Sequence, residues 1–167
     1  MATISSPSSA HAVSELLAAR ILEDAGLIAE LLALIPEGRE EWRPTDWPVS
    51  PEGDPPFNVA RLRAHLAESL AGVCACLYRL HPEEEPAHLR TAAGFETLRQ
   101  AAADGFARLT DAGLTRSLPT VFAPQGAPFL ETLLINWKHL LHHGHQLFLY
   151  LKLLGVPVDS RHLYRFR

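Results

Sequence analysis

The chain has 167 residues, of which 47% are hydrophobic and 20% are charged, and its formal net charge is −4 at pH 7. This length suits one domain with a sizeable core, and the apolar fraction argues against extensive disorder. The mild charge excludes the basic surface typical of nucleic-acid-binding proteins, since basic residues cluster only in the short tail 161–167. We therefore expect no nucleic-acid partner.

The first residues are small and polar, and they lack the charged start and apolar run of a secretory signal. No apolar stretch is long enough to span a bilayer, so we expect no membrane partner. Cys74 and Cys76 lie two apart in a helical pattern, which points their side chains apart and predicts buried, reduced thiols. These features predict a soluble, cytoplasmic protein with a flexible N-terminus over 1–12 and a single domain over 13–167.

Residues 13–35 predict the first helix, because apolar side chains recur at helical spacing until a proline and a glycine follow. The segment 40–57 holds five prolines and cannot be helical. We expect it to form a long loop across the bundle, fixed by Trp42 and Trp47. The apolar residues that recur at helical spacing in the first helix include Leu16, Leu17, Ile21, Ala25, Ile28 and Leu32.

The second helix is predicted to begin after Asn58, a favourable N-cap residue, and to end near Leu80. After an acidic loop, a third helix is predicted from Ala87 or Thr91 to Gly113. The apolar stripe predicted for the second helix comprises Val59, Leu62, Leu66, Leu70, Val73 and Leu77.

The segment 114–126 is predicted to be irregular, and its Val121-Phe122 pair is too short to count as a strand. The fourth helix is predicted from Pro128 to Leu154, with Gly155 as its C-cap. Four long amphipathic helices, joined by both short and long loops, predict an all-α four-helix bundle with long loop connections.

The fourth helix contains four of the nine histidines within seven residues. A rotation of about 100° per residue places His139 and His143 beside the core stripe, and His142 and His145 on the polar side. Histidine is a middling helix former but the commonest transition-metal ligand, so this density favours metal binding. On the second helix, His65 lies at a matching position on the edge of the buried face.

Three imidazoles from facing helices form a sound ligand set for a divalent ion in a bundle. The alternative is that His65 is a hydrogen-bonded core residue and the other histidines lie on the surface; spacing alone leaves both readings open. A zinc peptidase of the His-Glu-x-x-His kind is excluded, because Leu140 stands where the glutamate is needed. A di-iron carboxylate bundle is excluded because neither histidine-bearing helix has a Glu-x-x-His motif.

The segment from His139 to Gly155 resembles the C-terminal motif of the DinB/YfiT-like superfamily of small metal-binding four-helix bundles. That motif has a His-x-x-x-His pair, a Gly-Gln step, a Tyr-Leu-(Arg/Lys)-x-x-Gly run, and a proline and a tyrosine near the end. The matching residues are His139, His143, Gln146, Tyr150 to Gly155, Pro157 and Tyr164. The segment 57–68 is similar to the start of the family's second helix, whose histidine is the third ligand.

This chain also departs from the motif. Gly144-His145-Gln146 stands where the family usually has Arg-Gly-Gln, and no proline immediately precedes Tyr164.

The resemblance implies a zinc or nickel site, formed by His65, His139 and His143, with coordination positions open for a ligand. It further implies a transferase that uses a low-molecular-weight thiol, whose electrophile approaches from the side of the loop 42–57, in a chain that pairs as a homodimer. The alternatives are a non-catalytic metal-binding stress or interaction protein and a metal-dependent hydrolase. The polar residues expected near the ion are Glu68, Asn136, Gln146 and Tyr150.

Overall fold

The computed structural model describes residues 12–45, 47, 56–86, 94–119 and 124–165. Two two-residue strands, β1 (Ser117–Leu118) and β2 (Ala127–Pro128), pair antiparallel before the last helix. Within the described ranges, no helix is long and apolar enough to cross a membrane. The α-helices of these ranges are α1 (Val13–Ala33), α2 (Val59–Tyr78), α3 (Phe95–Phe106), the single turn α4 (Asp111–Leu114) and α5 (Phe129–Leu153).

Four of these helices form the bundle, as the sequence predicts. Helix α2 packs against both α3 and α5, and α1 closes the other side against the same two helices. Their fully buried side chains are mostly aliphatic, so the core follows the apolar stripes of the sequence. The largest of them include Ile21, Leu62, Leu66, Leu70, Leu133, Leu140, Leu147, Leu151 and Tyr150.

The first turn of α2 is fixed by the chain that precedes it. The Asn58 side chain accepts a hydrogen bond from the Arg61 backbone N–H at 2.8 Å, which confirms the predicted N-cap. The carbonyl groups of Glu40 and Trp42 accept hydrogen bonds from the Ala60 and Val59 N–H groups, both at 2.9 Å. Because these groups would otherwise lack partners, the preceding segment sets where α2 begins, two turns before the histidine of this helix.

The prediction of one third helix that runs to Gly113 is wrong. Helix α3 ends at Phe106, and Thr110 starts a separate turn, where its side chain accepts a hydrogen bond from the Gly113 N–H at 3.3 Å. This turn carries Asp111 to the N-terminus of α1, where its carboxylate accepts hydrogen bonds from backbone N–H groups. The break therefore supplies α1 with a cap from a distant part of the chain.

Not every apolar residue at helical spacing in α1 enters the core, since the Leu16 side chain is 53% exposed. Beside it, Ser14 is buried and its N–H donates to Asp111 at 2.8 Å. The capping contact turns Ser14 inward at this end of the helix, which leaves Leu16 on the outer side. Further along, Leu27 and Leu31 are buried in addition to the predicted Ile21, Ala25 and Ile28.

Three predictions concern segments that the structure leaves partly or wholly undescribed. The flexible N-terminus lies outside the described residues except for residue 12, and so does the Val121-Phe122 pair. The proposed starts of the third helix, Ala87 and Thr91, lie outside them as well.

Helix α5 approaches its neighbours closely at two glycines. A Cβ atom at Gly144 would lie 2.8 Å from Cγ1 of Ile28 on α1. A Cβ atom at Gly72 on α2 would lie 2.5 Å from Oδ1 of Asn136 on α5. The absence of side chains at these positions lets α5 lie close to both helices. One of these close contacts, at Gly144, immediately follows His143.

The two cysteines are buried and free, as predicted. Burial raises the pKa of the Cys74 thiol to about 12 and that of the Cys76 thiol to about 11. Both thiols are therefore protonated at neutral pH, and neither is a ready nucleophile.

Candidate metal centre

Helices α2 and α5 bring three histidines together at the edge of the core. His65 projects from α2, and His139 and His143 project from adjacent turns of α5. The Nε2 atoms of His65 and His139 are 3.1 Å apart. One ring nitrogen of each of the three histidines lies within 4.8 Å of the others, so the three potential donors form one cluster.

The distance between the His65 and His139 nitrogens fits a shared divalent ion. Zinc–imidazole bonds of about 2.0–2.1 Å place two ligating nitrogens about 3.3 Å apart at a tetrahedral angle and about 2.9 Å apart at a right angle. The 3.1 Å between His65 and His139 lies between these values. A hydrogen bond between two rings would also give this distance, but it would not gather His143 at the same point.

The outer nitrogen of His65, the one that faces away from the other histidines, is hydrogen-bonded to a carboxylate. Its Nδ1 lies 2.8 Å from Oε2 of Glu68, whose Oε1 accepts a hydrogen bond from Nη1 of Arg61 at 2.8 Å. These two hydrogen bonds lower the pKa of Glu68, and the bond with His65 has the larger effect. The ionised carboxylate can only accept, so it accepts the Nδ1 proton of His65 and fixes the ring with Nε2 toward the cluster.

The outer nitrogen of His143 is held by an amide. Its Nδ1 lies 2.9 Å from Oε1 of Gln146, and the Gln146 amide donates to the hydroxyl of Tyr150 at 3.1 Å. That hydroxyl in turn donates to the carbonyl oxygen of Phe57 at 2.8 Å. Burial raises the pKa of the fully buried Tyr150, which keeps its hydroxyl protonated as this bond requires.

The electrostatic surroundings keep two of the imidazoles neutral. Burial lowers the pKa of His139, even though part of its ring is exposed, and the neighbouring His65 and His142 lower it further. Burial also lowers the pKa of His143, against the opposing effect of the hydrogen bond to Gln146. Because a metal ion binds only the neutral imidazole, these shifts favour a ligand role at neutral pH.

An aromatic wall covers one side of the cluster. The Phe57 ring meets His65 edge-on at 5.2 Å and stacks on His143 at 6.1 Å between ring centroids. The Arg61 guanidinium lies over the same phenylalanine ring at 5.4 Å. His139 is exposed, so solvent and small molecules reach the cluster from its side.

The polar residues predicted near the ion have different positions. Glu68 is hydrogen-bonded to His65, and Gln146 is hydrogen-bonded to His143. Tyr150 is hydrogen-bonded to Gln146. Asn136 instead donates to the Thr132 carbonyl and to Sγ of Cys76. His142 and His145 are exposed, as predicted.

Two residues of the site escaped the sequence interpretation. The spacing of Arg61, four residues before His65 on the same helix, could have indicated a neighbour of the site. The contribution of Phe57 is partly a backbone carbonyl, which has no sequence signature.

A second group of potential ligands lies on the short turn after α2. His81, Glu83 and Glu84 each offer an atom within 4.8 Å of the others. Both glutamates are exposed, and Glu84 forms an ion pair with Arg108. This group has the features of an ordinary solvated surface.

The fold has a counterpart among solved structures. The crystal structure of YjoA, a DinB-like protein from Bacillus subtilis, matches with a TM-score of 0.66 at 16% sequence identity. The match covers 90% of this chain and 99% of that chain. No protein-family model matches the sequence, and no curated protein matches it either.

The chain is thus an all-α bundle with the DinB-like fold that the sequence resemblance predicts. At this level of identity the likeness concerns the fold, and the site is argued from its own geometry.

Proposed function

We propose that the chain binds one divalent transition-metal ion, zinc or nickel, through His65, His139 and His143. The observation that carries the proposal is the convergence of three imidazole donors, two of which have their outer nitrogens fixed by Glu68 and Gln146. Ligands with such outer partners are typical of metal centres in proteins. The DinB-like fold is consistent with this function.

Three histidine ligands leave at least one coordination position for a small molecule, and a bound ion lowers the pKa of a thiol or water at that position. We propose that the substrate is a low-molecular-weight thiol. The thiol loses its proton to solvent, its sulfur bonds to an electrophilic carbon, and the bond from that carbon to its leaving group breaks. The buried Cys74 and Cys76 thiols are poor nucleophiles, which supports a reaction that uses an external thiol.

Elemental analysis of untagged protein by mass spectrometry tests metal binding. The parent is expected to carry about one zinc or nickel ion per chain, as a single three-histidine site requires. The folded variant His65→Ala/His139→Ala/His143→Ala is expected to carry none. The variant His142→Ala/His145→Ala removes histidines from the same helix and should retain the metal. A parent that takes up neither metal contradicts the proposal.

The thiol hypothesis needs its own test. Protein loaded with cobalt(II) is titrated with a low-molecular-weight thiol, and a sulfur-to-cobalt charge-transfer absorption is expected. A thioether product from an added electrophile then establishes turnover. Cobalt binding without a thiol response would favour the non-catalytic metal-binding protein or the hydrolase, and ester or amide hydrolysis distinguishes these two.

The cytoplasmic location and the homodimer remain predictions. Light scattering of the purified protein measures the molecular mass in solution and so tests the dimer.

A further inference from the structure

The hydrogen bonds that run from His143 to Phe57 allow only one direction of donation. The Phe57 carbonyl can only accept, so the Tyr150 hydroxyl donates to it and must accept from Gln146. The Gln146 amide therefore turns its nitrogen toward Tyr150 and its oxygen toward His143. That oxygen requires a proton on Nδ1 of His143. A backbone carbonyl outside α5 thus selects the tautomer whose Nε2 lone pair is available.

The same tyrosine is the contact point for the chain before α2. The rings of Trp42 and Trp47 meet the Tyr150 ring edge-on, with centroids 5.4 and 5.3 Å apart. Tyr150 is fully buried beneath them. The Trp42 carbonyl accepts a hydrogen bond from the Val59 N–H in the first turn of α2, and Phe57 lies just before that turn. The aromatic packing of this segment and the hydrogen bond to the Phe57 carbonyl therefore meet at one residue, Tyr150.

We propose that Gln146 and Tyr150 are positioning residues, which couple metal binding at His143 to the packing of Trp42, Trp47 and Phe57. This inference rests on the proposed metal site. A cation on Nε2 makes the Nδ1 proton more acidic and strengthens its bond to Gln146, and bonds in such a chain polarise one another. Because coupling is reciprocal, a segment that packs well on Tyr150 also raises the affinity of the site.

The variant Tyr150→Phe tests the inference, because it removes the hydroxyl and keeps the ring. The matched control is Tyr78→Phe, which removes another buried hydroxyl that donates to a backbone carbonyl, that of Ala101, at 3.2 Å. Competition with a chromophoric chelator measures zinc affinity. We expect Tyr150→Phe to bind zinc about tenfold more weakly, as for other residues that orient a ligand, and Tyr78→Phe to bind as the parent does.

Two further readouts separate positioning from general destabilisation. Nitrogen-15 NMR of zinc-free protein at about pH 8, where imidazoles are neutral, should show the Nδ1–H tautomer of His143 in the parent and a mixture in Tyr150→Phe. In a Trp137→Phe background, zinc should change the fluorescence of Trp42 and Trp47, and Tyr150→Phe should abolish that change at saturating zinc. If Tyr150→Phe fails to fold, Gln146→Leu breaks the same chain of hydrogen bonds.

The outcomes distinguish this inference from the metal site itself. Zinc binding by the parent, with equal affinity in Tyr150→Phe and no tryptophan response, overturns the coupling and leaves the site intact. A parent that binds no zinc overturns both.

Discussion

The inner and outer faces of α5 carry the same side chain in different surroundings. On the inner face, His139 and His143 meet His65 across the α2–α5 contact. On the outer face, His142 and His145 are exposed. The four residues lie within seven positions of one helix, so helix propensity and composition cannot distinguish them. The facing helix does, because it supplies the third imidazole and the groups that orient the cluster.

Zinc affinity should depend most strongly on the donor that the facing helix, α2, supplies. His65→Ala leaves all four histidines of α5 in place but removes the donor from α2. Zinc affinity should fall by more than the roughly hundredfold that follows loss of a supporting residue, because a ligand itself is lost. Calorimetric titration measures the affinity, and His81→Ala, just beyond the end of α2, is the control. Unchanged affinity in His65→Ala would assign zinc to the histidines of α5 alone.

Removal of the carboxylate behind His65 should have an intermediate effect. Glu68→Ala leaves Nδ1 of His65 without its acceptor, so the ring loses its fixed tautomer and orientation. Because Glu68 is exposed, we expect zinc affinity to fall by about tenfold, at the lower end of the usual range. The same titration applies. Glu131→Ala, an exposed carboxylate on α5, should bind zinc as the parent does, and equal losses in both variants would point to a general charge effect.

A buried contact of α5 should tolerate added side-chain volume less well than a helix position with open space around it. Gly144→Ala pushes a methyl group into Ile28 and should lower the free energy of unfolding by about 1–3 kcal/mol. Gly26→Ala in α1 meets no atom within 4 Å and should raise it by up to about 1 kcal/mol, because alanine favours the helix. Urea unfolding monitored by circular dichroism compares the two. An unchanged free energy of unfolding in Gly144→Ala would show that α5 does not need the close contact with Ile28.

The smallest expected effect is the pH dependence of stability in the presence of a chelator. The unfolded chain takes up protons on histidine near pH 6.5, whereas the lowered pKa values of folded His139 and His143 delay their uptake. The unfolded state therefore binds more protons in this window. The free energy of unfolding should fall as the pH drops from about 7 through these lowered values.

The two histidine pairs again provide the comparison. His139→Ala/His143→Ala should show a weaker dependence on pH, while His142→Ala/His145→Ala should keep that of the parent. Equal slopes for the parent and the inner-pair variant between about pH 7 and pH 5.5 would contradict the lowered pKa values of His139 and His143.

The start of α2 and the end of α5 could be predicted because local signals mark them. Asn58 caps α2 through its own side chain, and Gly155 follows α5 with a φ of 79°, a conformation that glycine adopts without strain. The break between α3 and α4 had no equally strong local signal. It depends on Asp111, whose partners are the N–H groups of Val13 and Ser14 at the other end of the chain. Contacts of this kind are set by the tertiary structure.

The ligand set follows the same division. Helical spacing assigned His139 and His143 to one face, and the same rotation placed His65 at a matching position on the second helix. The family resemblance then favoured the three as one ligand set. Glu68 and Gln146 each follow a histidine by three residues, which places them within reach on a helix. The Phe57 carbonyl could not be predicted, because a backbone acceptor is present in every residue and only the fold determines which one meets Tyr150.

Crystals grown with zinc and measured at the zinc absorption edge would show directly whether His65, His139 and His143 hold one ion. We expect one anomalous peak per chain, about 2.0–2.1 Å from the Nε2 atoms of His65, His139 and His143. A peak at His142 and His145 instead, or at His81 and the glutamates beside it, would contradict a site formed by the three histidines. So would the absence of a peak between α2 and α5 at saturating zinc.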